Sequence, residues 1–356
     1  MDKKELEKNI QKTVLKMAIE PKNTENYHEL AKLYALDNQY EKVISVYESL
    51  LAIDPKDMQA LINIGSLWFF SKEYKKALKY FNDAMIVNPS NYLVYYNIGN
   101  TYADMKNFSK ALQFYSRALD FTSDDPELYN AIALLYHDFE DYVESRAYYE
   151  KALSIDPDNL TALVDLGNVS YKVFDYESAL KYYKRVYELA PDNKTVLLCI
   201  ANTYTVLKDK EKAYEYFDKA LKLEGDNYKA DICYAIARSD FKDYGDAIEL
   251  YKQAIKLNPA ESNAYILLGN LYSNLNRYQE AEEQYREALK INKMDPSIYV
   301  LIANVYFMNK EIERSLFSYR AAVNLRPEND EYKLVFIQVL EDFISAFREG
   351  DIVAEI

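Results

Sequence analysis

Residues 58–91 read MQALINIGSLWFFSKEYKKALKYFNDAMIVNPSN, and this stretch contains one complete structural unit of the chain. Its apolar residues recur three and four positions apart from Leu61 to Trp68, and again from Tyr74 to Met85. That spacing is typical of two amphipathic helices. The polar residues that separate the two stretches predict a short turn, so the unit is a helical hairpin.

Proline closes this unit and recurs along the chain at a fixed spacing, as from Pro21 to Pro55 and from Pro55 to Pro89. Proline cannot continue a helix and restricts the residue before it, so Asn88-Pro89 predicts the end of the second helix. The prolines on this grid are Pro21, Pro55, Pro89, Pro157, Pro191, Pro259 and Pro327. Ser123, Gly225 and Lys293 occupy the remaining grid positions. A fixed period of this length indicates one helical hairpin, repeated and stacked.

Three rows of residues repeat with the same period and predict how the helices pack. The first row is always small: Ala31, Gly65, Gly99, Ala133, Gly167, Ala201, Ala235, Gly269 and Ala303. The second is nearly always small: Val43, Ala77, Ala111, Ser145, Ala179, Ala213, Ala247, Ala281 and Ser315. The third is aromatic: Tyr47, Phe81, Tyr115, Tyr149, Tyr183, Phe217, Tyr251, Tyr285 and Tyr319. Small residues let helices approach closely, and large rings fill the space between hairpins.

This pattern resembles the tetratricopeptide repeat family over nearly the whole chain. In one unit the match rests on Tyr95, Ile98, Gly99, Tyr102, Ala111, Tyr115 and Ala118, with a closing proline as at Pro89 or Pro157. The resemblance implies an all-α, right-handed solenoid, a superhelix whose concave groove is lined by the first helix of each pair. It also implies a protein-binding function.

Nine such units fit between residues 24 and 329. We predict that they start at residues 24, 58, 92, 126, 160, 194, 228, 262 and 296. Residues 1–23 then form an N-terminal capping helix, the second half of a repeat, and residues 330–356 form a C-terminal capping helix with a short tail. The last helix carries an apolar face from Tyr332 to Phe347, for which a docking or self-association surface is the alternative interpretation.

Acidic residues outnumber basic ones, and the formal net charge is −14. We therefore expect neither nucleic acid nor an anionic membrane surface as a partner. The N-terminal sequence MDKKELEKNIQ has no apolar run and does not read as a signal peptide, and no apolar stretch is long enough for membrane insertion. These features predict a soluble, cytoplasmic protein.

The sequence offers no constellation that predicts catalysis, a metal site or a cofactor. It has no GxGxxG and no GK followed by Ser or Thr, and the repeats leave no room for a separate catalytic domain. His28 and His137 lie more than a hundred residues apart. We therefore expect two independent polar side chains that share neither a metal ion nor a proton relay. Cys199 and Cys233 lie one period apart on neighbouring helices, too distant for a disulfide, and we predict two largely buried thiols.

The expected groove carries two informative rows of side chains. The first reads His28, Ile62, Tyr96, Asn130, Val164, Leu198, Ile232, Ile266 and Val300. The second reads Lys32, Ser66, Asn100, Leu134, Asn168, Asn202, Ile236, Asn270 and Asn304. Amides can pair with the backbone of an extended peptide, and an apolar strip can take its side chains. The candidate peptide-binding residues are Asn100, Val164, Asn168, Leu198, Asn202, Ile232, Ile266, Asn270, Val300 and Asn304.

Two alternatives to this site remain open. Asn is common at this position of the family, and the apolar residues can simply pack against neighbouring helices. The more polar and aromatic N-terminal half, with Tyr96, Asn97, Asn100 and His137, can hold a second partner. A clamp for a C-terminal carboxylate is not expected, because the inward lysines are widely separated.

One repeat departs from the pattern. Gly225 replaces the closing proline, and the following helix places Asp231 and Arg238 where other repeats have apolar or aromatic residues. Because the two are seven positions apart, they share a helix face. We predict a compensating ion pair between them, with a flexible joint near Gly225 as the alternative.

Overall fold

The computed structural model describes residues 3–223, 225 and 227–348, with side chains through residue 345. Within these ranges the chain forms twenty α-helices and no strand. The chain divides into two units, residues 1–186 and residues 187–356. The fold is all-α, as the period predicted, and consecutive helices pack as the hairpins of an α-solenoid.

The helices of the first unit are α1 (Lys3–Ile19), α2 (Thr24–Leu36), α3 (Tyr40–Ile53), α4 (Met58–Phe70), α5 (Tyr74–Val87), α6 (Tyr92–Asp104), α7 (Phe108–Leu119), α8 (Pro126–Asp138), α9 (Tyr142–Ile155), α10 (Leu160–Lys172) and most of α11 (Tyr176–Leu189). Those of the second unit are α12 (Lys194–Val206), α13 (Lys210–Lys222), α14 (Tyr228–Asp240), α15 (Tyr244–Leu257), α16 (Ser262–Asn274), α17 (Tyr278–Ile291), α18 (Pro296–Met308), α19 (Ile312–Leu325) and α20 (Asp330–Arg348).

The even-numbered helices from α2 to α18 are the first helices of the hairpins, and they begin at the same fixed spacing as the repeats in the sequence. A polar residue precedes most of them and satisfies a backbone N–H group that the helix itself leaves without a partner. The Asp57 carboxylate accepts a hydrogen bond from the Ala60 N–H at 2.8 Å, and the Asn193 side chain accepts one from the Val196 N–H at 3.1 Å. Asx side chains at this position stabilise helix starts.

The turn inside each hairpin has one conformation throughout the described chain. After α4, the Lys72 N–H donates to the Phe69 carbonyl at 2.8 Å and the Glu73 N–H donates to the Trp68 carbonyl at 2.9 Å. This is the Schellman arrangement, which requires a left-handed residue at the central position. Within the described ranges, nine non-glycine residues adopt that conformation: Asn38, Lys72, Lys106, Glu140, Phe174, Lys208, Lys242, Asn276 and Lys310.

All three predicted packing rows are buried, and the first and third rows are in direct contact. A Cβ atom added to Gly99 would lie 2.5 Å from the Tyr115 ring, and one added to Gly269 would lie 2.6 Å from the Tyr285 ring. The ring of the second helix therefore rests on the backbone of the first helix at these positions. Glycine here serves close helix packing, as the sequence predicted.

The repeat around α14 differs from our prediction. Arg238 pairs with Asp246 at 2.7 Å rather than with Asp231. Its guanidinium also donates to the Tyr234 hydroxyl at 2.7 Å and lies 3.9 Å from the Tyr214 ring centroid. Burial raises the pKa of Tyr234 to about 12. Asp231 is buried, whereas Arg238 lies two helical turns away, about 10 Å along the axis.

Helix α20 packs against α19 through Val339 and Phe336. Its other side leaves Leu334 67% exposed and Ile337 48% exposed. Phe336 and Val339 belong to the predicted apolar face, whereas Leu334 and Ile337 lie off it. The side chain of Phe347 and the tail 351–356 lie outside the described range. Among the described residues, no helix combines the length and the apolarity needed to cross a bilayer.

Candidate functional site

Several first helices of successive hairpins contact one another within a unit and present neighbouring faces. In the first unit α4 contacts α6, α6 contacts α8 and α8 contacts α10, and in the second unit α12 contacts α14. The candidate residues lie on these helices. We call the two surfaces the first-helix face of the first unit and that of the second unit.

Asparagine side chains on these faces are held by tyrosines of the following helix. In the first unit the Tyr115 hydroxyl donates to Asn100 Oδ1 at 2.7 Å, and the Tyr183 hydroxyl donates to Asn168 Oδ1 at 2.8 Å. Each tyrosine stands 15 residues after its asparagine, so the pair bridges the two helices of one hairpin. The predicted asparagine row is therefore coupled to the predicted aromatic row.

The second unit repeats this arrangement. The Tyr285 hydroxyl donates to Asn270 Oδ1 at 2.7 Å, and the Tyr319 hydroxyl donates to Asn304 Oδ1. Burial raises the pKa of Tyr285, so the hydroxyl remains a donor at physiological pH. The amide oxygen is thereby used inside the hairpin, and the amide nitrogen is oriented for donation elsewhere.

Asn202 is the exception in this row. The residue 15 positions later is Phe217, which has no hydroxyl group. Asn202 instead hydrogen-bonds the thiol of Cys233, whose pKa is raised by burial and lowered to a smaller extent by this bond. Cys233 and Cys199 are both thiols with half-buried side chains.

The apolar row divides into packed and accessible members. Leu198 is 5% exposed and Ile232 is 7% exposed, and both belong to core clusters of the second unit. Val164, Ile266 and Val300 are half-buried. The side chains of this row that a partner can contact are therefore fewer than the sequence suggested.

The first-helix face of the first unit contains a cavity of about 350 Å³. We call it the α8 cavity, because α8 contributes more lining residues than any other helix, among them Asn130, Leu134 and Asp138. Asn100 of α6 and Asp165 of α10 also line it. Of these residues, only Asn100 was among the candidates. In the sequence, the feature that marks this cavity is Leu134, which interrupts the asparagine row.

The two histidines lie in separate places. His28 Nε2 is 2.9 Å from Asp57 Oδ2 and lines a second cavity of about 630 Å³ in the first unit. His137 Nδ1 lies 4.0 Å from an oxygen of Asp138. Across the described residues, His, Cys, Asp and Glu side chains form no group of three that could hold a metal ion.

Five family models, each described as a tetratricopeptide repeat, match successive parts of this sequence. They cover residues 27–59, 92–123, 124–192, 197–227, 240–305 and 296–329. Together with the hairpin packing, these matches define an α-solenoid of the protein-interaction class. The chain belongs to the tetratricopeptide repeat family. No curated protein matches the sequence.

Solved structures of low sequence identity share the fold. A tetratricopeptide repeat protein from Parabacteroides merdae has a TM-score of 0.57 at 18% identity, over 70% of this chain and 99% of its own. Pseudomonas aeruginosa pilF has a TM-score of 0.50 at 18% identity, over 58% of this chain and 94% of its own. Human IFIT1, in a dimer with PPP-AAAA, has a TM-score of 0.51 at 17% identity, over 85% of this chain and 72% of its own.

Proposed function

We propose that the protein is a non-catalytic scaffold whose first-helix faces bind an extended or helical segment of a partner protein. The observation that carries this proposal is the row of asparagines held by buried tyrosines, as in the pairs Asn270–Tyr285 and Asn168–Tyr183. Such amides are oriented before a partner arrives, so binding loses less side-chain entropy. The proposed residues are Asn100, Asn168, Asn202, Asn270 and Asn304, with Val164, Ile266 and Val300 beside them.

The fixed amide nitrogens suit backbone carbonyl groups of a bound segment. Each nitrogen carries two N–H donors, so a second N–H remains when the first already has a partner in the protein. The half-buried apolar residues next to them suit its side chains. Leu198 and Ile232 contribute to this face indirectly, by packing the helices that carry it. The charge of −14 argues against RNA as the occupant, although the fold neighbour IFIT1 was solved with PPP-AAAA.

Replacing Asn202 and Asn270 with alanine is expected to weaken partner binding about tenfold or more, because each loss removes an oriented donor worth about 1 kcal/mol. The measurement uses a peptide selected on the full chain from a random display library, with affinity followed by calorimetry. Asn324→Ala is the matched control, since Asn324 is exposed on the second helix α19. Equal affinity of the double variant and the control variant would count against the proposed site.

A second candidate function is self-association through α20. The exposed Leu334 and Ile337 support it, because they extend an apolar surface at the end of the second unit. In this case light scattering should show a mass that rises from 41.6 kDa towards twice that value with concentration. Leu334→Glu with Ile337→Glu should abolish the rise. A constant monomer mass in the unsubstituted protein removes this candidate.

A further inference from the structure

The α8 cavity contains a buried hydrogen-bond acceptor whose orientation is fixed by its neighbours. Asn130 is 9% exposed, and its Nδ2 donates to Asn159 Oδ1 at 3.2 Å. Asn159 Oδ1 also accepts the Ala162 N–H at 3.0 Å, which identifies it as an oxygen. The nitrogen of Asn130 must therefore face Asn159, and its oxygen must face the other way.

That oxygen, Asn130 Oδ1, has no hydrogen-bond partner within the described part of the chain. Asn130 lines the cavity, but its oxygen has almost no accessible surface, so a ligand group reaches this oxygen by displacing neighbouring side chains. A buried acceptor without a partner costs about 1–3 kcal/mol, and a ligand that supplies a donor recovers this cost. The cavity thus favours a ligand with N–H or O–H groups.

The charged side chains around the cavity favour a ligand with a positive charge. Four carboxylates line it, namely those of Asp104, Glu127, Asp138 and Asp165. Lys106 is the basic residue of the lining, and its ammonium already pairs with Asp138 at 3.1 Å. The local balance is negative, so an anion such as a phosphate or a peptide carboxylate is disfavoured.

Asp165 is a half-buried carboxylate that lines the cavity. Asn168 Nδ2 lies 3.4 Å from Asp165 Oδ1. Burial nonetheless raises the pKa of the Asp165 carboxyl group. A half-buried carboxylate gains from a cation placed beside it, because the electrostatic attraction is stronger away from bulk water.

Aromatic rings complete the lining. Phe69, Tyr96 and Tyr115 border the cavity, and the centroids of the Tyr96 and Tyr115 rings are 6.1 Å apart. Ring faces attract ammonium and guanidinium groups, by about 0.5–2 kcal/mol depending on exposure. They also pack against the methylene groups of a long side chain.

We propose that the α8 cavity binds the ammonium or guanidinium group of a lysine or arginine side chain on the partner protein. Asn130 Oδ1 accepts from the cation, Asp165 and Asp104 balance its charge, and Tyr96 packs against its stem. This inference rests on the proposed scaffold function and specifies the partner chemistry at one site.

The test uses methyl NMR of the full chain, with the Ala131 and Leu134 methyl groups as reporters because both residues line the cavity. Butylammonium and methylguanidinium should shift these signals saturably, whereas butanol, the neutral analogue, should not. Asn130→Leu and Asp165→Asn should each weaken the cation affinity about tenfold, which is about 1.4 kcal/mol. An equal response to butanol, or unchanged affinity in both variants, would overturn the proposal.

Matched controls carry the same chemical changes on second helices of the first unit. Asn82→Leu and Glu150→Gln alter exposed residues of α5 and α9 and should leave cation binding unchanged. Their thermal unfolding, compared with that of Asn130→Leu, separates lost binding from lost folding. An equal loss of binding in these controls would contradict the assignment of the site.

Two further probes identify the source of the cation. Acetyl-Gly-Lys-Gly-amide should bind at least as tightly as butylammonium. If spermidine bound more than a hundredfold more tightly than this peptide, the cavity would be assigned to a free polyamine. That result would overturn the proposal that a partner side chain occupies it. If display-selected peptides lack basic residues and bind Asn130→Leu unchanged, the cavity proposal fails while the scaffold function stands.

Discussion

Replacing Gly269 with valine is expected to lower the free energy of unfolding by about 3 kcal/mol, at the upper end of overpacking effects. A Cβ atom at this position would lie 2.6 Å from the Tyr285 ring, and valine adds two further methyl groups. The ring must move, and its hydroxyl then loses Asn270. Chemical denaturation followed by circular dichroism measures the change.

Gly245 provides a matched control in the same unit. It is exposed in the first turn of α15, and a Cβ atom there would meet nothing within 4 Å. Gly245→Val should change stability by no more than about 0.5 kcal/mol, as surface substitutions usually do. Similar losses from Gly269→Val and Gly245→Val would contradict the packing of the Tyr285 ring on the glycine backbone.

Replacing Lys208, Lys242 and Lys310 together with glycine should raise the stability of the second unit by about 2 kcal/mol, because glycine relieves the backbone strain at each turn. Their φ angles are 61°, 65° and 64°, in the left-handed region. A side chain in this conformation costs about 1–2 kcal/mol of backbone strain. Glycine removes this strain, but its greater freedom in the unfolded chain offsets about half of the gain. The three turns belong to three different hairpins, so we expect their contributions to add.

Lys252→Gly is the control for this prediction, because it makes the same change in the exposed interior of α15. It should destabilise the protein by about 1 kcal/mol, the helix penalty of glycine. Measuring at high salt screens the loss of positive charge. Destabilisation by the three turn substitutions would show that these lysines contribute contacts that outweigh their backbone strain.

The sequence predicted the hairpins and their packing because the same physical requirement recurs in every repeat. Helix boundaries follow from capping residues and prolines, and the small and aromatic rows follow from close helix contact. The turns were less accessible to sequence reasoning. Left-handed turns usually have glycine, but here lysine, glutamate, phenylalanine and asparagine take its place, as at Lys72 and Phe174.

The surroundings of the candidate residues were predictable from the sequence only in part, because these residues serve packing as well as exposure. Leu198 is buried in the core because α12 packs against α14, so a partner cannot contact its side chain. Except at Asn202, the amide oxygens of the asparagine row are taken by tyrosines 15 residues later, a spacing that was present in the two predicted rows. The unpaired oxygen of Asn130 depends on the fixed orientation of Asn159, which only the folded geometry reveals.

Amide hydrogen exchange of the full chain with and without a display-selected peptide shows which helices the partner segment covers. We expect slower exchange in the first helices of a unit, such as α16 and α18, with little change in the second helices α15, α17 and α19. Protection confined to the second helices, or no protection in any first helix at saturating peptide, would contradict binding on the first-helix faces.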